Sequence, residues 1–160
     1  MAGRSSIKVE GLEALRKSLA NGREYMAVEA TQALEDSAKM IRSEAERLAP
    51  RGPTGNLKRA LRQSLGRATK TFLQSFVFAL AQIAPHAHLV EFGTKPHTIR
   101  PKKSGGVLVF GKYFAKEVKH PGAKAWPFFQ TAVRNKRMAV RRRIEAAVEA
   151  VTEKLNAQAA

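Results

Sequence analysis

The chain has 160 residues, 44% of them hydrophobic, which suits one domain with one core. No apolar run approaches the roughly 20 residues of a membrane span, the opening "MAGRSSIKVEG" lacks the apolar middle of a secretory signal, and the absence of cysteine excludes disulfides and thiolate-bound zinc. Lys and Arg number 29 against 13 Asp and Glu, a formal net charge of +16; residues 51–125 hold 14 basic and 2 acidic residues, net +12, a field that attracts nucleic acid or an acidic protein surface.

Ile7 and Val9 open with a short alternation. Leu12, Leu15 and Leu19 then recur at helical spacing, and Asn21-Gly22 predicts an end to that helix. A long amphipathic helix is predicted over Arg23–Leu48, with Ala27, Ala30, Leu34, Ala38, Ile41, Ala45 and Leu48 on one face and charges on the other. Its alanine-rich stripe permits close approach of whatever packs there. Pro50 and Pro53 stop it, and Thr54 is placed to cap a short helix through Leu61.

"TFLQSFVFAL", Thr71 to Leu80, is the strongest strand signal, apolar on both faces. Weaker strands are predicted near 97–101, at 106–110 and at 112–118. "KKSGG" would turn the first two into a hairpin, and Gly111-Lys112 would turn the next pair. Pro127 suits the first position of a final helix reaching Leu155, about 43 Å long. Its apolar stripe breaks where "RNKRMAVRRR" places six basic residues in ten. Residues 151–160 are expected to fray. The order predicts an α+β fold in a single domain, 1–160, with an antiparallel sheet of about 4 strands and a long C-terminal helix on one face.

"APHAHLVEFGTKPH" holds His86, His88 and His97 around Glu91 and raises the question of a metal or acid–base site. His86 and His88 share a face only in an extended segment, whereas His88 and Glu91 share one only in a helix. No firm metal motif, nucleophile elbow or phosphate loop is present. The residues therefore predict neither an enzyme nor a cofactor. Arg134, Arg137 and Arg141 lie along one side of the final helix, where they could track phosphates, but without a helix-turn-helix or other recognition signature.

Four blocks in order carry a resemblance. They are Ala49, Pro50, Thr54, Gly55, Asn56 and Leu57; "VEFGT", Val90 to Thr94; "HTIRPK", His97 to Lys102; and His120, Pro121 and Gly122 followed by Pro127, Phe128 and Phe129. Together the arrangement resembles the tail-completion or head–tail joining (neck) proteins of tailed bacteriophages of the Hong Kong 97 type. His88-Leu89 stands where that family often has an aromatic residue, and the basic residues of the last helix are particular to this chain.

The resemblance implies a non-enzymatic virion protein, made in the bacterial host cytoplasm, that joins or completes the tail at its head-proximal end. It implies a ring of like subunits, commonly hexameric, against tail or connector proteins. The motif and interface residues are then Thr54, Gly55, Asn56, Leu57, Glu91, Phe92, Gly93, Thr94, His120, Pro121, Gly122, Trp126, Phe128 and Phe129. Val90 to Thr94 would be a turn-and-strand element, and Trp126, Phe128 and Phe129 would anchor the final helix. Lys102, Lys103, Arg134, Arg137 and Arg141 are the expected DNA-facing or acid-facing residues. Glu91, one of two acids among residues 51–125, is expected to form a charge-assisted pair. The alternative is a non-specific nucleic-acid-binding protein that uses the basic C-terminal helix.

Overall fold

The computed structural model describes residues 12–69, 72–103 and 105–159. Ile7, Val9, Thr71 and Ser104 of the sequence-based expectations lie outside them. The architecture is α+β, with a long helix at each end: α1, Leu12–Leu48, and α4, Phe128–Ala159. Between them lie α2 (Asn56–Ala60), β1 (Leu61–Thr69), β2 (Phe72–Ala79), α3 (Ala87–Phe92), β3 (His97–Ile99), β4 (Leu108–Phe110), β5 (Tyr113–Ala115) and β6 (Val118–His120). Instead of one sheet of about four strands, the six strands form three two-stranded sheets, β1–β2, β3–β6 and β4–β5.

Two compact units emerge, each drawn from separate stretches of chain. One takes in Met1–Ile41, Gln63–Val77 and Lys136–Ala160, the other Arg42–Arg62 and Phe78–Asn135.

In the first unit α1 does not end at Asn21-Gly22 as the sequence predicts. Gly22 is buried beneath Leu155 of α4, whose Cδ2 lies 3.0 Å from where a Cβ would sit. The glycine is thus a packing notch, and the helix runs through it. Ala33, Ser37, Ala38, Ala147 and Val151 are buried, and Ser37 satisfies its hydroxyl on the Ala33 carbonyl at 2.6 Å. Small side chains let α1 and α4 approach closely. Ion pairs tie them, among them Arg143 to Asp36 at 2.8 Å and Lys154 to Glu29 at 2.8 Å. The strand Leu61–Thr69, absent from the sequence-based reading, pairs with β2. Gly66 makes room there for the Phe76 ring, which a Cβ would approach to 2.7 Å.

In the second unit the core gathers Ala45, Ala49, Leu57, Ala60, Leu61, Ala84, Phe128 and Ala132. The segment after Pro50 builds this core. Gly55, at φ 63°, occupies the cap position of α2, and the Thr54 hydroxyl accepts from Asn56 N–H at 3.3 Å. Leu61, 1% exposed, turns extended and ends the helix. Glu44, also buried, accepts from Arg47 at 2.7 Å and 3.0 Å and from Asn135 of α4 at 3.0 Å.

The strands of residues 97–120 differ from expectation. "KKSGG" does not join 97–101 to 106–110. The outer pair is β3–β6, with His97 opposite His120 and Ile99 opposite Val118. Nested within it is β4–β5, with Leu108 opposite Ala115 and Phe110 opposite Tyr113. Lys103 and Gly106 still make a local turn, with Gly106 N–H donating to Lys103 carbonyl at 3.0 Å. That turn sits in a long bulge on one side of the arm. The stretch 112–118 divides between β5 and the start of β6, while Gly111, at φ 61°, turns the tip as predicted.

Phe128→Ala should cost about 3–5 kcal/mol in chemical denaturation, because it empties the centre of the second unit's core. Hydrogen bonding from Arg143, with smaller help from Gln32 and the charge of Lys39, holds the Asp36 carboxyl below its ordinary range against partial desolvation. A depressed folded-state value means that this pair stabilises above the ordinary carboxylate range and that the contribution fades as pH falls through the lowered value. Asp36→Asn should therefore reduce stability at neutral pH by under about 1 kcal/mol, the pair being partly solvent-screened. Denaturation at a series of pH values should show the gap to the parent closing in acid.

Candidate functional site

The four sequence blocks converge in the second unit. "VEFGT" is not a turn and strand: its first half completes α3, and Gly93 ends that helix at φ 72° and ψ −177°. This is glycine territory. A Cβ there would lie 2.6 Å from the Ala123 carbonyl oxygen and 2.7 Å from the Ala125 nitrogen. The close approach lets Thr94 and Ala123 exchange backbone hydrogen bonds at 2.9 Å and 3.0 Å. Gly122, at φ 86°, has no more room, since a Cβ would strike the Thr94 carbonyl.

This junction locks the start of α4. A helix begins with backbone N–H groups that have no partner within the helix. Here Glu91, buried on α3, reaches across. Its Oε2 accepts from Phe129 N–H and its Oε1 from Gln130 N–H, each at 2.9 Å. The expected charge-assisted pair is therefore a carboxylate on a helix N-terminus rather than on a basic side chain. The helix dipole adds to the charge-assisted hydrogen bonds. Helical geometry on α3 sets this direction.

Trp126 fastens two more ends. Its backbone N–H donates to the Val90 carbonyl at 2.8 Å. Its indole N–H donates to the Leu48 carbonyl, the end of α1, at 3.1 Å. The ring remains 57% exposed and forms one wall of a 220 Å³ cavity with Leu48, Ala125, Pro127, Phe128 and Thr131. Phe128 is buried and Phe129 half-buried, whereas Phe92 faces solvent. Of the first block, Leu57 is buried and Thr54 exposed, with Gly55 and Asn56 between.

The histidines do not form one site. His86 and His88 are exposed at α3. His97 and His120 stack across β3–β6 with ring centroids 5.1 Å apart, and the His120 ring nitrogen Nδ1 accepts from Gly122 N–H at 3.1 Å. His120-Pro121-Gly122 thus turns the chain back to Thr94 before α4 begins. Among the described residues no three His, Asp or Glu side chains are grouped to hold a metal ion.

The basic candidates divide by engagement. Lys102 and Lys103 are exposed on the bulge of the arm. Arg134, Arg137 and Arg141 are all exposed on α4, but Arg141 is paired with Glu145 at 2.7 Å. Arg143 is committed to Asp36. The sequence-based reading missed the apolar surface of the arm. Val107, Val109, Phe110, Tyr113 and Phe114 are 48–79% exposed. The signal was available: strands of three residues around Gly111 carry large apolar side chains at both alternating phases, so neither face is polar.

Glu91→Gln should lower stability by about 1–3 kcal/mol, because the amide has one acceptor where the carboxylate has two and brings its own N–H groups toward the helix start. Denaturation curves and loss of amide-exchange protection at Phe129 and Gln130 would register it.

No curated protein and no solved structure matches the chain. A family model described as "Bacteriophage HK97-gp10, putative tail-component" matches residues 13–93. The match runs from α1 to Gly93, taking in the first sequence block and the second as far as Gly93, and stopping short of the arm and α4. It spans half of the chain, and with the junction built by Glu91 and Gly93 in place, the chain belongs to the HK97-gp10-like family of bacteriophage tail components.

Proposed function

We propose that this protein is a structural, non-catalytic virion component that completes the tail at its head-proximal end, or joins it to the head, as a ring around the DNA path. Membership of a tail-component family supports the virion setting. The observation that carries the assembly reading is an inverted distribution of apolar side chains. Among the described residues, eight of the twelve buried hydrophobic residues are alanine, while Phe92, Phe110, Tyr113, Phe114 and Trp126 stand in solvent. An isolated monomer rarely leaves so much aromatic surface uncovered, and such surface marks contact with other proteins.

The motif residues divide the work. Leu57, Glu91, Gly93, Thr94, His120, Gly122 and Phe128 hold the subunit together. Phe92 and Trp126, exposed beside that junction, are the contacts offered to neighbouring tail or connector proteins. Lys102, Lys103, Arg134 and Arg137 supply positive charge toward the DNA path or an acidic neighbouring ring. The nucleic-acid-binding alternative has one specific observation in its favour: Arg134 and Arg137 are exposed and carry no ion pair among the described residues.

Imaging of phage particles carrying a labelled copy of this chain should place it as a ring at the tail's head-proximal end, and its removal should leave heads and tails unjoined. A label distributed elsewhere, or absent from particles, would overturn the reading. For the alternative, a steep fall of duplex affinity with salt, flattened in an Arg134→Ala/Arg137→Ala variant, is the signature.

A further inference from the structure

We propose that the apolar tip of the β4–β5 arm docks into the groove between α1 and α4 of a second copy of this chain. The inference rests on the self-assembly part of the preceding reading and names the two surfaces that meet.

The arm has the form of a plug. Val109 faces Phe114 across the inner pair on one side, and Phe110 faces Tyr113 on the other. Their exposures are 59%, 71%, 48% and 79%. Neither side of the inner pair has a covering layer, and a lone two-stranded hairpin is marginal in water.

The groove has the form of a socket. It lies wholly within the first unit, encloses about 330 Å³, and is walled by Met26, Ala30, Leu34, Leu73, Ile144 and Val148. Met26, Ile144 and Val148 are 52%, 44% and 52% exposed at its mouth, while Ala33, Ala147 and Val151 close the floor. Its one charged liner, Glu29, is already held by Lys154.

Charge selects the occupant. The arm carries Lys102, Lys103, Lys112, Lys116 and Lys119, and its one acid, Glu117, is paired with Arg100 at 3.1 Å. The helix segments flanking the groove are the acidic part of this basic chain. From Arg23 to Asp36, α1 has Glu24, Glu29, Glu35 and Asp36 against one arginine. Beyond Ile144, α4 has Glu145, Glu149 and Glu153 against Lys154, and of the arginines just before Ile144, Arg141 and Arg143 are already taken up by Glu145 and Asp36. Glu24, Glu35, Glu149 and Glu153 are exposed and form no ion pair among the described residues. A basic apolar plug therefore meets an acid-flanked apolar socket, and opposite charges on plug and socket steer that encounter. Because plug and socket are different surfaces, the contact is heterologous and repeats head to tail, closing into a ring when the rotation allows.

The chain has no native cysteine, so single cysteines report cleanly. One population carries Val109→Cys and a size tag; the other carries Val148→Cys. Mixed under mild oxidation, they should give a disulfide-linked heterodimer of distinct mobility, exceeding the homodimers that either gives alone. Adding Phe114→Asp to the first population should abolish the heterodimer, and circular dichroism should be unchanged because that side chain is exposed. Raised salt should lower the yield. No heterodimer while the parent chain sediments as an oligomer would overturn the docking and leave ring assembly standing. No heterodimer with the parent monomeric at every concentration would overturn both. A heterodimer indifferent to Phe114→Asp would also overturn the docking.

Discussion

The carboxylate of Glu91 on the first N–H groups of α4 is the interaction around which the second unit is organised. A helix of 32 residues must start somewhere definite. Phe128 and Ala132 enter the core only if that start is fixed to α3, and Glu91 fixes it with two hydrogen bonds from separate oxygens. The requirement propagates backwards. For Glu91 to reach α4, the chain after α3 must pass within van der Waals limits of residues 123–125, and only glycine at 93 and 122 permits that. The Thr94–Ala123 bridge and the two bonds of Trp126 follow from the same closeness. Removing the acid would leave glycine positions and backbone pairings in place but without the charge that draws α3 and α4 together.

The two units solve packing in the same economical manner. Alanine, glycine and serine line the helix contacts, so helices approach closely while enclosing little large apolar area. The stabilisation available from burial scales with area, and much of this chain's aromatic area is on its outside. Ion pairs between α1 and α4, and the buried Glu44 with Arg47 and Asn135, supplement a thin interior with directional contacts.

How far the sequence could be read depends on what each signal reports. Helical periodicity located both long helices, because a stripe that repeats every three or four residues has no other use. It misjudged Gly22, since a glycine that ends a helix and a glycine that admits a neighbouring leucine look alike until Leu155 is placed. β2 was legible from its Phe and Val content. β1, "LRQSLGRAT", was not, because it is largely polar and is a strand only through its partner. The turn at "KKSGG" exists, yet pairing was assigned to the wrong strands: local turn chemistry does not say whether a turn closes a hairpin or sits in a bulge. Glu91 was singled out by its isolation in a basic stretch, which pointed to a charge-assisted role. Its partners were invisible, because backbone N–H groups leave no mark in composition. The junction was also obscured by reading "VEFGT" as a turn and strand, when Ala87–Phe92 is helical and carries Glu91 to the far side. The arm was read as part of one antiparallel sheet with a helix on one face, as hydrophobicity alone does not reveal whether a covering layer exists.

The nested pairing of residues 97–120 has a consequence for variation. Both ends of the arm return to one place, where His97 stacks on His120 and Arg100 pairs with Glu117. Everything between is therefore a closed excursion whose length does not enter the geometry of the core. Loop closure becomes only slowly more costly with added residues. The tip can be lengthened, shortened or recoloured with new side chains while the junction of α3 and α4 keeps its register. In mechanical terms the arm is a fitting on a fixed mount: its tip answers to the surface it meets, and the mount answers to the core.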